Sequence, residues 1–256
     1  MPRLSLLQLD TQFPRIPGDV ASPDTYRCAL DIRTIPGLSV ARVVSTQPDP
    51  GDLTLIESHL CGAPGDVIAT SCGFLSIWQT QLAARSPAPF LSSALLQLPI
   101  LGASFAADEM AILTFDADSL AAPAFTPVLA GFSGPVLGLP PTSHLRRVIA
   151  EDLTTLDQAR AEAELIDLVA GLQQTRPVRA LLLECTNLPP YKAALRVRFD
   201  VEIFDILTLI HATKPHMLNA GFCRAIVKDR WLDSGRGMMW PRLCRALACR
   251  DWAHRA

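Results

Sequence analysis

Seven short apolar runs, each of strand length, set the strongest limit on what this chain can fold into. They fall at residues 4–9, 38–44, 66–71, 110–115, 136–139, 178–184 and 201–204. Each is nearly continuous rather than alternating in polarity. A strand with water on one face alternates, whereas a continuous run needs cover on both faces, as in a parallel sheet between helices. Between the runs lie helical patterns. Residues 73–84 place Phe74, Ile77, Trp78 and Leu82 at helical spacing, and residues 150–174 do so with Leu153, Leu156, Ala161, Leu165, Leu168 and Leu172. Strand and helix in alternation predict an α/β fold built from βαβ units.

The order is doubled. One set of strands occupies roughly residues 1–104 and a second begins at Met110 and ends near Asp205, with Pro- and Gly-rich loops between elements. The expectation is two pseudo-symmetric α/β domains with mainly parallel sheets and the active site in the cleft between them. The first domain takes residues 1–104 plus a C-terminal return at about 212–235, and the second takes 105–211. From Trp231 onward the chain holds three of the four tryptophans, five arginines and two cysteines. The stretch 236–256 therefore reads as a basic tail, either a helix packing back or a poorly ordered extension.

Composition removes several function classes. With 49% hydrophobic residues, 19% charged and a net charge of −2, a chain of 256 residues has ample core material and no basic surface for nucleic acid. The first ten residues lack a signal-peptide pattern, and no run reaches the roughly 18 apolar residues of a membrane span. A cytoplasmic protein with no membrane partner is expected, and a homodimer is left open. No Gly-x-Ser-x-Gly, Gly-rich phosphate loop or His-Glu-x-x-His occurs.

Seven cysteines, an odd number with no Cys-x-x-Cys pair, fit neither a disulfide framework nor a zinc module. The bland expectation for each is a buried, inert thiol. Two stand apart from it. Asp66-Val-Ile-Ala-Thr-Ser-Cys72-Gly-Phe-Leu and Arg179-Ala-Leu-Leu-Leu-Glu-Cys185-Thr-Asn-Leu each read as strand, polar residue, thiol and helix start. Open α/β sheets gather ligands at the carboxyl ends of their strands, and a following helix start can lower a thiol pKa. The two thiols occupy matching places in the two halves. Facing each other, they could remove a proton from one side of a carbon and return it to the other, given donors for the developing charge. Thr70, Ser71, Gly73, Thr186 and Asn187 are small or polar neighbours suited to that task. Two unrelated buried thiols remain the competing view.

These residues carry a resemblance. Thr70-Ser-Cys-Gly-Phe74 and Glu184-Cys-Thr-Asn187 resemble the two cysteine signatures of the aspartate/glutamate racemase superfamily, which includes hydantoin racemases and related decarboxylases and isomerases. Leu9-Asp-Thr-Gln-Phe-Pro-Arg15, with Pro17-Gly-Asp19, is similar to the first-strand loop of one of its branches. The likeness covers most of residues 1–225. It implies Cys72 and Cys185 as the acid/base pair of a racemase or epimerase. It also implies a small carboxylate or amino-acid-like substrate, and neither pyridoxal phosphate, another cofactor nor a metal. By the same likeness Thr186 follows the second thiol, and Asp10 with Thr11 takes the place of the first-loop polar pair. The chain departs from the amino-acid racemases at Gly73-Phe74, where Asn-Thr is usual, so an apolar wall replaces a polar clamp. That leaves aspartate or glutamate in doubt. A maleate-type cis–trans isomerase with a cysteine nucleophile and a non-catalytic binding protein are the alternatives.

Other candidates have a bland side. Arg15 reads either as a clamp for a substrate carboxylate or as a surface arginine. Asp10 reads as an orienting group or a loop cap, and Glu184 as a supporting group or one half of an ion pair. His144, behind Thr142 and Ser143, reads as a helix-start residue.

Overall fold

A computed structural model describes residues 1–223; the expected tail at 236–256 and much of the return at 212–235 lie outside the described residues. Two four-stranded sheets form, both wholly parallel. The first orders β2 (Ala29–Ile35), β1 (Arg3–Leu9), β3 (Val67–Thr70) and β4 (Phe90–Leu91) across the sheet. The second orders β6 (Val136–Gly138), β5 (Met110–Thr114), β7 (Ala180–Leu183) and β8 (Glu202–Phe204). The order second, first, third, fourth recurs, so the α/β class and the doubled, pseudo-symmetric architecture hold.

The continuous apolar runs have the expected cause. In β1, Leu4 and Leu6 point into one buried cluster and Leu7 and Leu9 into another; in β3, Val67 and Ala69 oppose Ile68 in the same way. Both faces are covered. The strands β5 and β7 are buried at every position. Each such Leu withdraws about 1.5–3 kcal/mol of side chain from water. The second sheet shares one apolar cluster with the inner face of the first, joining the halves. The outer cluster of the first sheet is closed by the helix Ile206–Thr213, with Ile206, Leu207, Leu209 and Ile210 against Leu4, Leu6 and Val67. The return to the first sheet thus begins at Ile206.

Four local expectations change. Residues 38–44 are not a strand: Ser39 caps a short helix, Val40–Val43, by accepting from Arg42 N–H at 3.3 Å. Short apolar runs do not separate helix from strand, and here a side-chain cap decides. The strand in that region is β2, an edge strand whose Asp31 and Arg33 interrupt its apolar pattern. The helix expected at 150–174 runs only over Gln158–Thr175; a separate helix, His144–Ala150, ends just before Asp152, which adopts φ +52°. Residues 73–84 begin as a 3-10 segment, Gly73–Trp78, and become α-helical only at Gln79–Arg85. Among the described residues, no helix is long and apolar enough to cross a membrane.

Candidate active site

The third strand of each sheet ends in the same way. Beyond β3, Ser71 N–H donates to Leu7 C=O at 3.0 Å; beyond β7, Glu184 N–H donates to Leu113 C=O at 2.8 Å. These bonds extend each ladder by one residue and deliver the next, Cys72 or Cys185, to the rim of its sheet. The rims face each other. Thr186 Oγ1 donates to Ser71 C=O at 2.6 Å, tying the residue after one thiol to the residue before the other. One cavity is lined by both thiols, together with Arg15, Ser71, Gly73, Glu184, Thr186 and Asn187. Phe13, Phe74, Phe115, Leu9, Val40, Val44 and Ile149 make its apolar walls.

The cavity leaves about 20 Å³ for the centre of a water molecule, room for about one water. Its roof is a clamp between the halves. Asp152 Oδ1 accepts from Gln12 N–H at 2.7 Å and from Phe13 N–H at 3.1 Å, fastening the loop after β1 to the second half. The left-handed turn at Asp152 aims the carboxylate there, a conformation that Asp tolerates better than most residues.

Arg15 is not a surface arginine. Its side chain is 12% exposed, stacks 4.1 Å from the Phe13 ring, and donates to Asp19 and to Thr11 Oγ1. Its Nε is buried without a partner among the described residues. Asp19 in turn accepts from Asn187 Nδ2 at 2.6 Å and from Ala21 N–H at 2.7 Å. Asn187 Oδ1 lies 3.8 Å from Cys185 Sγ, whose S–H donates to it. A chain of contacts therefore runs from Thr11 through Arg15, Asp19 and Asn187 to the second thiol.

Asp10 and Thr11 do not line the cavity. Asp10 is exposed and its carboxylate accepts from Gly37 N–H at 2.8 Å, pinning the turn after β2. Thr11 acts only through Arg15. His144 also lies outside, accepting through Nε2 from Asp157 N–H at 2.8 Å. Cys28 is buried in the outer cluster and Cys61 is exposed, so neither reaches the cavity. Among the described residues no group of three His, Cys, Asp or Glu side chains could hold a metal.

The thiols are not activated by their surroundings. Burial, then the neighbouring Glu184 carboxyl, push Cys72 up to about 12, against the N–H groups of Phe74 and Leu75 and the Arg15 charge. Burial and then Glu184 also raise Cys185, against the Asn187 N–H. The expected lowering by a helix start fails because neither thiol meets one. A 3-10 segment follows Cys72, and the helix after Cys185 begins only at Lys192. Glu184 itself is fully buried and pushed up to about 7 by burial, with Thr114 Oγ1 donating to its Oε2 at 2.7 Å.

Phe115 and Asp152 were not expected at the site, and Phe13 and Asp19 entered only as part of the loop after β1. The loop, Phe115 and Asp152 are far apart in the chain, and no spacing rule joins them. Glu184 was legible only as the neighbour of a thiol.

No protein-family model matches the chain. It is 32% identical over 229 residues to dimethylsulfoniopropionate lyase 5 of Emiliania huxleyi, covering 82% of this chain and 44% of that protein. Lyase 3 of the same organism is 29% identical, with 85% of this chain and 60% of that protein covered. Dimethylsulfoniopropionate lyase of Durusdinium sp. clade D is 24% identical, with 80% and 71% covered. The chain thus spans about half the length of the first two. Among solved structures, the aspartate racemase of Picrophilus torridus matches with a TM-score of 0.56 and 13% identity, covering 89% of this chain and all of that one. A glycine-to-cysteine mutant of arylmalonate decarboxylase matches with a TM-score of 0.51 and 16% identity, with 79% and 87% covered. Allantoin racemase of Pseudomonas fluorescens matches with a TM-score of 0.50 and 12% identity, with 91% and 92% covered. These structural likenesses establish the fold. They do not carry the racemase or epimerase expectation, which the sequence relatives overturn: the proteins that match four-fifths of this chain are named as lyases. Fold and chemistry separate here, because function resides in the site grafted on the fold.

Proposed function

We propose that this chain is a carbon–sulfur lyase acting on a small β-sulfonium carboxylate of the dimethylsulfoniopropionate type, with Cys72 and Cys185 in its active site. One observation carries the reading. The match to a dimethylsulfoniopropionate lyase covers 82% of the chain and so runs through both thiols wherever it begins, and both thiols line one cavity.

The reaction is an elimination. A thiolate takes the proton next to the carboxylate, the carbon–carbon double bond forms, and the carbon–sulfur electron pair leaves with the neutral sulfide. The products are acrylate, dimethyl sulfide and one proton. A neutral leaving group needs no acid, so the two thiols need not do the same work, unlike the bases of a 1,1-proton transfer.

Cys72 is the better base of the two. Two backbone N–H groups and the Arg15 charge favour its thiolate, while the Cys185 S–H is engaged with Asn187. Cys185 and the free Arg15 Nε then face the substrate carboxylate, where negative charge builds as the proton leaves. The apolar walls suit the methyl groups on the sulfur. A thiol held near 12 is scarcely ionised at neutral pH, but a cation brought beside it favours its ionised form. The substrate therefore assists its own deprotonation.

The test is direct. Purified protein given dimethylsulfoniopropionate should release dimethyl sulfide and acrylate in equal amounts, measured by headspace chromatography and proton NMR. No release above the uncatalysed background between pH 6 and 9 would end this reading.

A further inference from the structure

We propose that Glu184 is the counter-ion of the ligand's cationic group, and that it selects a small onium cation over a neutral group of the same shape. The inference rests on the lyase reading for the ligand's class, and its own ground is the charge balance of the cavity.

Glu184 is fully buried and lines the cavity. Its Oε2 accepts from Thr114, but Oε1 has no partner among the described residues. The groups around it offer no cation. From β5 it meets the Thr114 hydroxyl, and the segment after β3 presents Gly73 with the Cys72 thiol near. Ser93, after β4, also borders Gly73, and Cys185 is its chain neighbour. Arg15, the cation of the cavity, is already held by Asp19 and Thr11. A buried carboxylate with no charged partner and one oxygen unpaired is costly, and proteins seldom keep one idle.

Gly73 shows how closely the carboxyl packs against the Cys72 segment. A Cβ at that position would sit 2.0 Å from Glu184 Oε1 and 2.8 Å from Ser93 Oγ. The glycine thus lets the carboxylate lie against the Cys72 segment. Phe74 and Phe115 also line the cavity, so one unpaired carboxylate oxygen stands among apolar walls that suit the methyl groups of an onium ion. With the cation at Glu184 and the carboxylate at Arg15 Nε, the two ends of a zwitterion have separate, oppositely charged receivers.

Binding of such a cation must draw Glu184 into its ionised form. The carboxyl is pushed up to about 7 by burial. Below that pH the cation can bind only by displacing the proton, so binding weakens as pH falls and releases a proton.

The experiment uses two unreactive shapes, 3-(trimethylammonio)propanoate and its neutral carbon isostere 4,4-dimethylpentanoate. Titration calorimetry on the wild-type chain at pH 8 should find the cation bound about tenfold more tightly. The preference should shrink severalfold by pH 5.5, with proton release seen in buffers of different ionisation enthalpy. Glu184→Gln should remove both the preference and its pH dependence. Equal binding of the two probes, binding of neither, or a preference that survives in Glu184→Gln would overturn the inference. Dimethyl sulfide release is measured alongside. Release without a cation preference removes Glu184 and keeps the lyase, and preference without release does the reverse.

Discussion

The two sheets have the same strand order and place a cysteine at the same point, yet the residues around the two thiols are chemically unlike. Ser71, Gly73 and Phe74 surround Cys72: small groups, backbone N–H donors and an aromatic wall. Thr186 and Asn187 surround Cys185: a hydroxyl bonded across the seam and an amide that receives the S–H, while the Glu184 carboxyl borders both thiols. Symmetry of the backbone fixes where two thiols can stand. Asymmetry of their neighbours decides what each can do. A proton exchange between two faces of one carbon is best served by two similar bases, whereas an elimination needs one, and the unlike surroundings suit the latter.

The sharpest way to break that comparison is to remove each thiol in turn. Cys72→Ser should lower dimethyl sulfide release by about a thousandfold, since a serine hydroxyl is a far weaker base at neutral pH. Cys185→Ser should cost about ten- to a hundredfold, because the hydroxyl still donates a hydrogen bond. Equal losses would show that the two halves work alike.

Glu184 gives the next largest effect, on stability. Its folded carboxyl is pushed up to about 7 from an ordinary 4.5, so the native chain holds the proton more tightly than the unfolded one. That contribution is fully present below pH 4.5 and is lost as pH rises through 7. Relative to Glu184→Gln, the wild type should therefore lose on the order of 3 kcal/mol between pH 4.5 and pH 8.5. Urea unfolding at several pH values measures it. A constant difference between the two proteins would mean that the carboxyl is not desolvated.

Smaller effects report on the seam. Asp152→Ala removes the acceptor for two N–H groups of the opposite half and should cost about 1–2 kcal/mol. Alkylation of Cys72 should also quicken as the roof loosens, and an unchanged rate would place the opening elsewhere. Thr186→Val deletes one cross-seam hydrogen bond and should cost about 1 kcal/mol, read as a shift in the urea midpoint.

Much of the fold was legible because burial on both faces leaves a local mark. The runs at β1, β3, β5 and β7 could be read from continuous apolar residues, and their ends placed both thiols correctly. β2 escaped notice because an edge strand carries Asp31 and Arg33 without penalty. Residues 38–44 misled because a short apolar run looks the same in a helix. The site was legible around each thiol, since Ser71, Gly73, Phe74, Thr186 and Asn187 adjoin one. Asp10 was misplaced within it, because a carboxylate at a strand end can turn outward to cap a neighbouring turn, as it does at Gly37.

By itself, then, the sequence determined the parallel α/β class, the doubling and the two thiols at strand ends. Those features follow from residues close together in the chain. Only the tertiary structure decided that the two rims meet in one cavity, that Arg15 is buried against Phe13, and that Asp152 reaches Phe13 across 139 residues. It also decided the state of the thiols. A pKa depends on solvent access and on every nearby charge, and folding alone sets how much water and how many charges a thiol meets. Burial beside Glu184 outweighed the backbone donors that local sequence had promised.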